Sequence, residues 1–229
     1  MAADPGTVLV TGGASGLGAA VVRAVAGAGG TPVVLDLRAP AGGVDHECVD
    51  LADGRAAEAA VARLVERRRS LDAVVTAAGI DCCGPLDAVA PEAWERVVRV
   101  NLLGTAAVVR AALPYLVRSG GRVVTVASTL GLRACGDATA YCASKFGVVG
   151  FTRALAAETR GRVAVTLLVP GGMQTAFFDD RDARYKPPPD ARLNRPDDVA
   201  AAVLVALRQP PGCELRELVV CPSTEGSWP

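Results

Sequence analysis

Tyr141 and Lys145 are residues whose spacing could do chemistry. They stand four positions apart within Ala140-Tyr141-Cys142-Ala143-Ser144-Lys145. On a helix that spacing sets both side chains on one face. A free phenol titrates near ~10, too high for a base at neutral pH. An ammonium beside it favours the phenolate and is expected to lower that value. The pair then suits proton exchange with a substrate oxygen while hydride moves at carbon. A Tyr-x-x-x-Lys pair alone is weak, since a solvated lysine beside a half-buried tyrosine has the same spacing.

The surroundings make it specific. Ser128 closes the apolar run 121–127, and ligands sit at the carboxyl ends of strands in α/β sheets. A hydroxyl there can donate to a substrate oxygen and share its developing charge. Asn101 lies in a helical stretch, where its amide is unfavourable, and is expected to hold a water linking Lys145 to solvent. Upstream, Thr11-Gly12-Gly13-Ala14-Ser15-Gly16-Leu17-Gly18 joins a strand to a helix. Gly12 permits a tight turn, Gly16 a close approach to a pyrophosphate, and Gly18 close packing of helix on sheet. The free N–H groups of that helix end favour an anion. Asp36 ends the next apolar run and can accept from adenosine ribose hydroxyls, while repelling a 2′-phosphate. NAD is therefore expected over NADP, which Arg38, two residues on, leaves open.

Strands and helices must alternate to position these residues. Apolar β-rich runs fall at 7–11, 32–36, 73–76, 121–127, 163–169 and 215–220, with a weaker one at 46–49. Helical periodicity covers 17–28, 55–69, 91–118, 139–160 and 196–207. Repeated βα units predict a doubly wound parallel sheet of about seven strands with helices on both faces. One domain, 1–229, is expected. The charged segment 179–194, with Pro187, Pro188 and Pro189, reads as a substrate lid.

The chain has 229 residues, 51 % of them hydrophobic, with 24 basic and 24 acidic side chains. A zero formal charge argues against a nucleic-acid partner. The seven cysteines have no zinc spacing, are odd in number, and read as small buried hydrophobes in a reducing compartment. Cys82 and Cys83 are placed near the pocket, where accidental thiol reactivity is conceivable. His46, the only histidine, has no partners for a metal, and no metal is expected. Met1–Gly6 is too short for a signal peptide and no apolar run reaches membrane-spanning length, so a soluble cytoplasmic protein is expected.

At this point the sequence resembles the short-chain dehydrogenases/reductases over nearly its whole length. The resemblance rests on Thr11-Gly12-x-x-x-Gly16-x-Gly18, Asp50-Leu51, Ala77-Ala78-Gly79, Asn101, Ser128, Tyr141-x-x-x-Lys145 and Pro170-Gly171-x-x-x-Thr175, in order. It implies a Rossmann-type sheet in order 3-2-1-4-5-6-7 and a homotetramer or dimer built through long helices. Asn101, Ser128, Tyr141 and Lys145 would form the catalytic tetrad. Gly12, Ser15, Gly16, Leu17, Gly18 and Asp36 would hold the pyrophosphate and ribose. Asp50 and Leu51 would flank the adenine, and Ala77, Ala78 and Gly79 would lie against the cofactor. Lys145 would bind the nicotinamide ribose; Pro170, Gly171, Met173 and Thr175 would hold the carboxamide. Thr76-Ala77-Ala78-Gly79 departs from the family's Asn-Asn-Ala-Gly, and the missing amides would have braced the central strand.

By the same resemblance Thr129, Leu130, Cys135, Gly172, Met173, Phe177 and Phe178 lie near the substrate. Their apolar character predicts a neutral or partly apolar secondary alcohol or ketone. Arg181, Arg184 and Lys186 could instead greet a carboxylate. The alternatives are an NADP-linked ketoreductase or small hydroxy-acid dehydrogenase of the same family, and a non-catalytic dinucleotide-sensing regulator. The regulator is disfavoured because Tyr141 and Lys145 are both present. A dehalogenase built on this fold is disfavoured because the glycine loop is intact.

Overall fold

The computed structural model describes residues 4–226; positions 1–3 and 227–229 of the expected domain lie outside the described residues. The strands are β1 (Thr7–Thr11), β2 (Thr31–Asp36), β3 (His46–Cys48), β4 (Ala73–Thr76), β5 (Arg122–Val126), β6 (Ala164–Pro170) and β7 (Glu217–Val220). The helices are α1 (Gly16–Gly27), α2 (Gly54–Arg68), α3 (Pro91–Val98), α4 (Thr105–Ser119), α5 (Thr139–Glu158) and α6 (Pro196–Leu207). All seven strands form one sheet in the order β3-β2-β1-β4-β5-β6-β7, every neighbouring pair parallel. The expected order and helix–strand alternation hold, with ends differing by one or two residues.

Strand residues alternate between two apolar layers. Leu9, Val33, Leu35, Val74 and Val123 face a cluster with Leu64, Val108 and Leu116 from α2 and α4. Val8, Val10, Val34, Val75 and Val124 face α1 and α6 through Val21, Val25, Val199 and Val203. Covering both faces explains why these strands read as continuous apolar runs. Each fully buried Val or Leu contributes about 1.5–3 kcal/mol relative to exposure.

The stretch read as one long helix holds a π segment, Arg99–Gly104, between α3 and α4. π turns inside α-helices often mark functional sites, and Asn101 lies in this one. The continuous run Pro91–Ser119 is 29 residues with a mean hydropathy of 1.5 in its most apolar window. This corrects the expectation that no run reaches membrane-spanning length. Half of that window is buried inside the fold, and its outer face carries Arg110, paired with Glu58 of α2. It is built as a packed helix of this domain.

The buried-cysteine expectation also needs correcting. All seven are free, but only Cys142 is buried; Cys48, Cys135 and Cys213 are exposed and the rest half-buried. His46 lies on β3 with Nδ1 3.0 Å from the Val44 carbonyl.

Register carries this frame to the site. Thr11 pairs with both Leu35 and Thr76, and Thr76 with Thr125. Four strands therefore finish level, and the loops after them share one edge. Order reverses between β1 and β4, the switch point where such sheets open a crevice. Leu9→Ala, at a β1 position 1 % exposed, is expected to lower unfolding stability by about 2–5 kcal/mol, measured by urea denaturation.

Candidate functional site

A cleft of about 1330 Å³ runs along the carboxyl edge of the sheet. Its floor at one end is the loop from β1 into α1. Gly12 has φ +70° and Gly16 φ +53°, the left-handed region that side chains disfavour. A Cβ on Gly18 would lie 2.1 Å from the Gly12 carbonyl oxygen, so only glycine lets α1 pack this close. Gly18 itself is buried behind the cleft wall. At Ser15 no side chain caps α1, and its first turn holds no acid. Its N–H groups and positive dipole end thus face the cleft, an arrangement that fits a phosphate.

Asp36 lines the same end. Its carboxylate accepts from Ala14 N–H at 3.0 Å and Arg38 N–H at 3.0 Å, which fixes it at the rim. Asp50 lines the cleft beyond, accepting from Ala52 N–H at 2.9 Å and pairing with Arg96 at 3.0 Å. Burial works to raise its pKa, but Ala52 and Arg96 outweigh burial and hold the carboxyl below its ordinary value. Arg96 had no motif to announce it. Leu51, Leu17, Ala77, Ala78 and Gly79 complete this wall. A dinucleotide fits these residues: an anion-ready helix end, a ribose-facing carboxylate and apolar walls.

Ser128, Tyr141 and Lys145 line the far end, with Pro170, Gly171, Met173 and Thr175 opposite. Tyr141 and Lys145 share a face of α5, and Lys145 Nζ lies 5.6 Å from the Tyr141 ring centre. Nζ donates to the Val126 carbonyl at 2.8 Å, at the end of β5. Ser128 Oγ accepts from Leu130 N–H at 3.1 Å and also hydrogen-bonds the Tyr141 phenol. Thr175 Oγ1 accepts from Phe177 N–H at 3.3 Å, which leaves its proton for a second partner.

Asn101 stands behind the wall, 1 % exposed. Its Oδ1 accepts from Ile80 N–H at 2.9 Å; its Nδ2 donates to the Ile80 carbonyl at 2.9 Å and to Ser144 Oγ at 3.1 Å. The amide clasps the chain just past β4. That clasp and the bond from Ala78 N–H to Thr11 Oγ1 at 3.1 Å brace the strand end that lacks the family's asparagines. Thr76 Oγ1 is buried there with no partner among the described residues.

The expected lowering of the Tyr141 pKa by Lys145 does not appear. Burial pushes the phenol up to about 12, the Ser128 hydrogen bond working the other way; Asp81 opposes ionisation and Arg181 favours it. Lys145 is itself pulled down to about 8 by burial, with Asp81 opposing. Low dielectric disfavours both charges, and the ammonium is turned toward a carbonyl.

Asp179–Asn194 contributes Pro187, Pro188, Ala191 and Leu193 to the cleft. It is tied down at its end, where Met173 bridges Asn194 and Asn194 Nδ2 donates to Val220. Of the three basic residues considered for a carboxylate, only Arg181 lines the cleft, and it pairs with Asp81 at 2.8 Å. Arg184 stacks on Tyr185 and Lys186 donates to the Asp179 carbonyl. Cys135 is exposed and off the cleft wall, against expectation. Cys82 and Cys83 are half-buried and their thiols are raised, Cys83 to about 12 by burial and Asp81, which opposes thiolate reactivity. Glu225 was missed by motif reading; from the tail after β7 it accepts from Gly172 N–H at 3.0 Å.

Comparison with known proteins agrees with this architecture. Residues 6–186 match the short chain dehydrogenase family. The D-threitol dehydrogenase of Mycolicibacterium smegmatis is 34 % identical over 88 % of this chain and 85 % of its own length. The L-fucose dehydrogenase of Mus musculus is 31 % identical over 95 % and 88 %. In fold, an alcohol dehydrogenase from Thermococcus sibiricus complexed with 5-hydroxy-NADP superposes with a TM-score of 0.84 at 24 % identity, covering 94 % and 95 % of the two chains. The aldohexose dehydrogenase of Thermoplasma acidophilum gives 0.85 at 23 %, covering 96 % and 95 %. Gly18→Ala is expected to push α1 off the sheet and weaken dinucleotide binding by about tenfold or more, read by fluorescence titration with NADH.

Proposed function

The chain belongs to the short-chain dehydrogenase family, and from that premise we propose that it moves a hydride between NAD and a neutral secondary alcohol or its ketone, with Tyr141 exchanging the hydroxyl proton. It is an oxidoreductase acting on the alcohol/ketone carbon. The single observation carrying the finer reading is that Tyr141 lines the cleft together with Ser128 and shares a helix face with Lys145, whose Nζ lies 5.6 Å from its ring centre.

A nicotinamide dinucleotide held along this cleft would supply or accept the hydride. The chain's own residues do the rest. In oxidation Tyr141 takes the substrate hydroxyl proton; in reduction it gives it back. Ser128 donates to the same oxygen and shares the charge that develops there. Lys145, buried with Nζ against Val126, holds positive charge on the cofactor side of the phenol and is placed to bind the nicotinamide ribose. Asn101 is a positioning residue; by clasping Ile80 it fixes the strand end beside Gly79. Thr175 and the Pro170–Met173 loop hold the carboxamide.

Asp36 at the rim supports NAD, because a carboxylate pinned by two N–H groups repels a 2′-phosphate. A second reading, an NADP-linked ketoreductase, has Arg38 in its favour, which lines the cleft beside Asp36. A neutral substrate is supported by the pairing of Arg181 with Asp81 and by Phe177, Phe178, Met173 and Leu130 in the wall. We read the chain as one domain with 179–194 as its lid, assembled as a homotetramer or dimer. The free cysteines support a reducing, cytoplasmic setting.

A screen of D-threitol, L-fucose and simple secondary alcohols with NAD and NADP, following reduced-cofactor absorbance, tests this. Tyr141→Phe is expected to lower turnover by about 10²–10⁴-fold while leaving NADH affinity unchanged; retained turnover would remove Tyr141 from the chemistry. Asp36→Ala is expected to weaken NAD by about tenfold and relax discrimination against NADP. A wild type preferring NADP overturns the cofactor assignment.

A further inference from the structure

Asp81 follows directly on the stretch that Asn101 clasps, and its side chain is 6 % exposed. Its Oδ1 accepts from Cys82 N–H at 2.7 Å, and its Oδ2 accepts from Cys83 Sγ at 3.2 Å and Arg181 Nη2 at 2.8 Å. Arg181 comes from the lid, exactly one hundred positions along the chain, and its side chain is 18 % exposed. The guanidinium lies 4.9 Å from the Phe177 ring and 4.6 Å from the Phe178 ring. Phe177 in turn lies 5.7 Å from the Tyr141 ring. Lid, ion pair and phenol thus form one packed column.

Charges in this column meet little water, so their fields reach further than on the surface. The groups around Tyr141 are Ser128 at the end of β5, Cys142 and Lys145 on its own helix, Asp81 after β4, and Arg181 from the lid. Lys145 directs its ammonium to Val126. Of the two full charges left, Asp81, after β4, opposes a phenolate, while Arg181, from the segment 179–194, favours one.

We propose that the Arg181–Asp81 pair couples the lid to acid–base chemistry: the lid delivers the cation that neutralises Asp81, and the Tyr141 site accepts a phenolate only with that pair formed. Both are positioning residues, since neither needs to touch the reacting atoms. The proposal rests on Tyr141 being the acid/base group.

The test titrates Tyr141 directly. The chain has three tyrosines, so Tyr115→Phe with Tyr185→Phe leaves Tyr141 as the one phenol. Its phenolate absorbance is followed by rapid pH jump in the presence of NAD, before alkaline unfolding. Asp81→Asn in this background is expected to move the midpoint down by about one pH unit, and Arg181→Met to move it up by a similar amount. The double variant, which leaves no lone buried charge, returns near the background. An unmoved midpoint in Asp81→Asn overturns the proposal and leaves the pair as a structural clamp. If Arg181→Met does not fold, as loss of one partner of a buried pair can cause, Asp81→Asn and the double variant still decide. The outcome is independent of turnover: an inactive Tyr141→Phe enzyme with an unmoved Asp81→Asn midpoint sinks this coupling alone, whereas an active Tyr141→Phe enzyme sinks the functional reading.

Discussion

Lys145 donates to the Val126 carbonyl and Asn101 closes both ends of its amide on Ile80, and most of the site depends on how these strand ends complete their hydrogen bonds. A parallel strand that stops inside a protein leaves backbone groups without a ladder partner, and a buried unpaired group is costly. Here side chains finish the ladder. Ala78 N–H finds Thr11, Ile80 finds Asn101, and Val126 finds Lys145. The groups that stabilise the carboxyl edge therefore overlap with those that make up the chemical site. Removing one is expected to disturb both.

The same arrangement sets the electrostatics. Lys145 is buried where it meets the end of β5, and Tyr141 packs against Phe177 beside it. Desolvation then dominates, lifting the phenol and depressing the ammonium. A site arranged this way resists ionisation of Tyr141 unless positive charge is brought to it. Arg181, from the segment 179–194, lines the same cleft.

At the adenosine end the constraints are local. Gly12, Gly16 and Gly18 leave room for a backbone turn and a helix end, and Asp36 is held by the Ala14 amide of that same turn and by the Arg38 amide. Arg96 meets Asp50 from α3, so this end also has a contact between elements far apart in sequence. The cleft joins a locally specified half to a half assembled from β4, β5, α5 and the lid.

Local physics made the first half legible. Continuous apolar runs betray strands covered on both faces, and the glycine loop, Asp36 and the Tyr141–Lys145 spacing each follow from a few adjacent residues. The sheet order came from family resemblance, and the parallel ladder bears it out. Tertiary structure decided what burial and distant partners control. Asn101 reads as a water holder in sequence; the fold also makes its amide a backbone clasp, because the π turn aims it at Ile80. Lys145 reads as the agent that acidifies Tyr141, but desolvation wins when both are enclosed. Arg181 reads as one of three loop cations; only folding brings it to Asp81. Sequence spacing defines neighbours along one element, whereas solvent exclusion and pairing across elements arise only when the chain closes on itself.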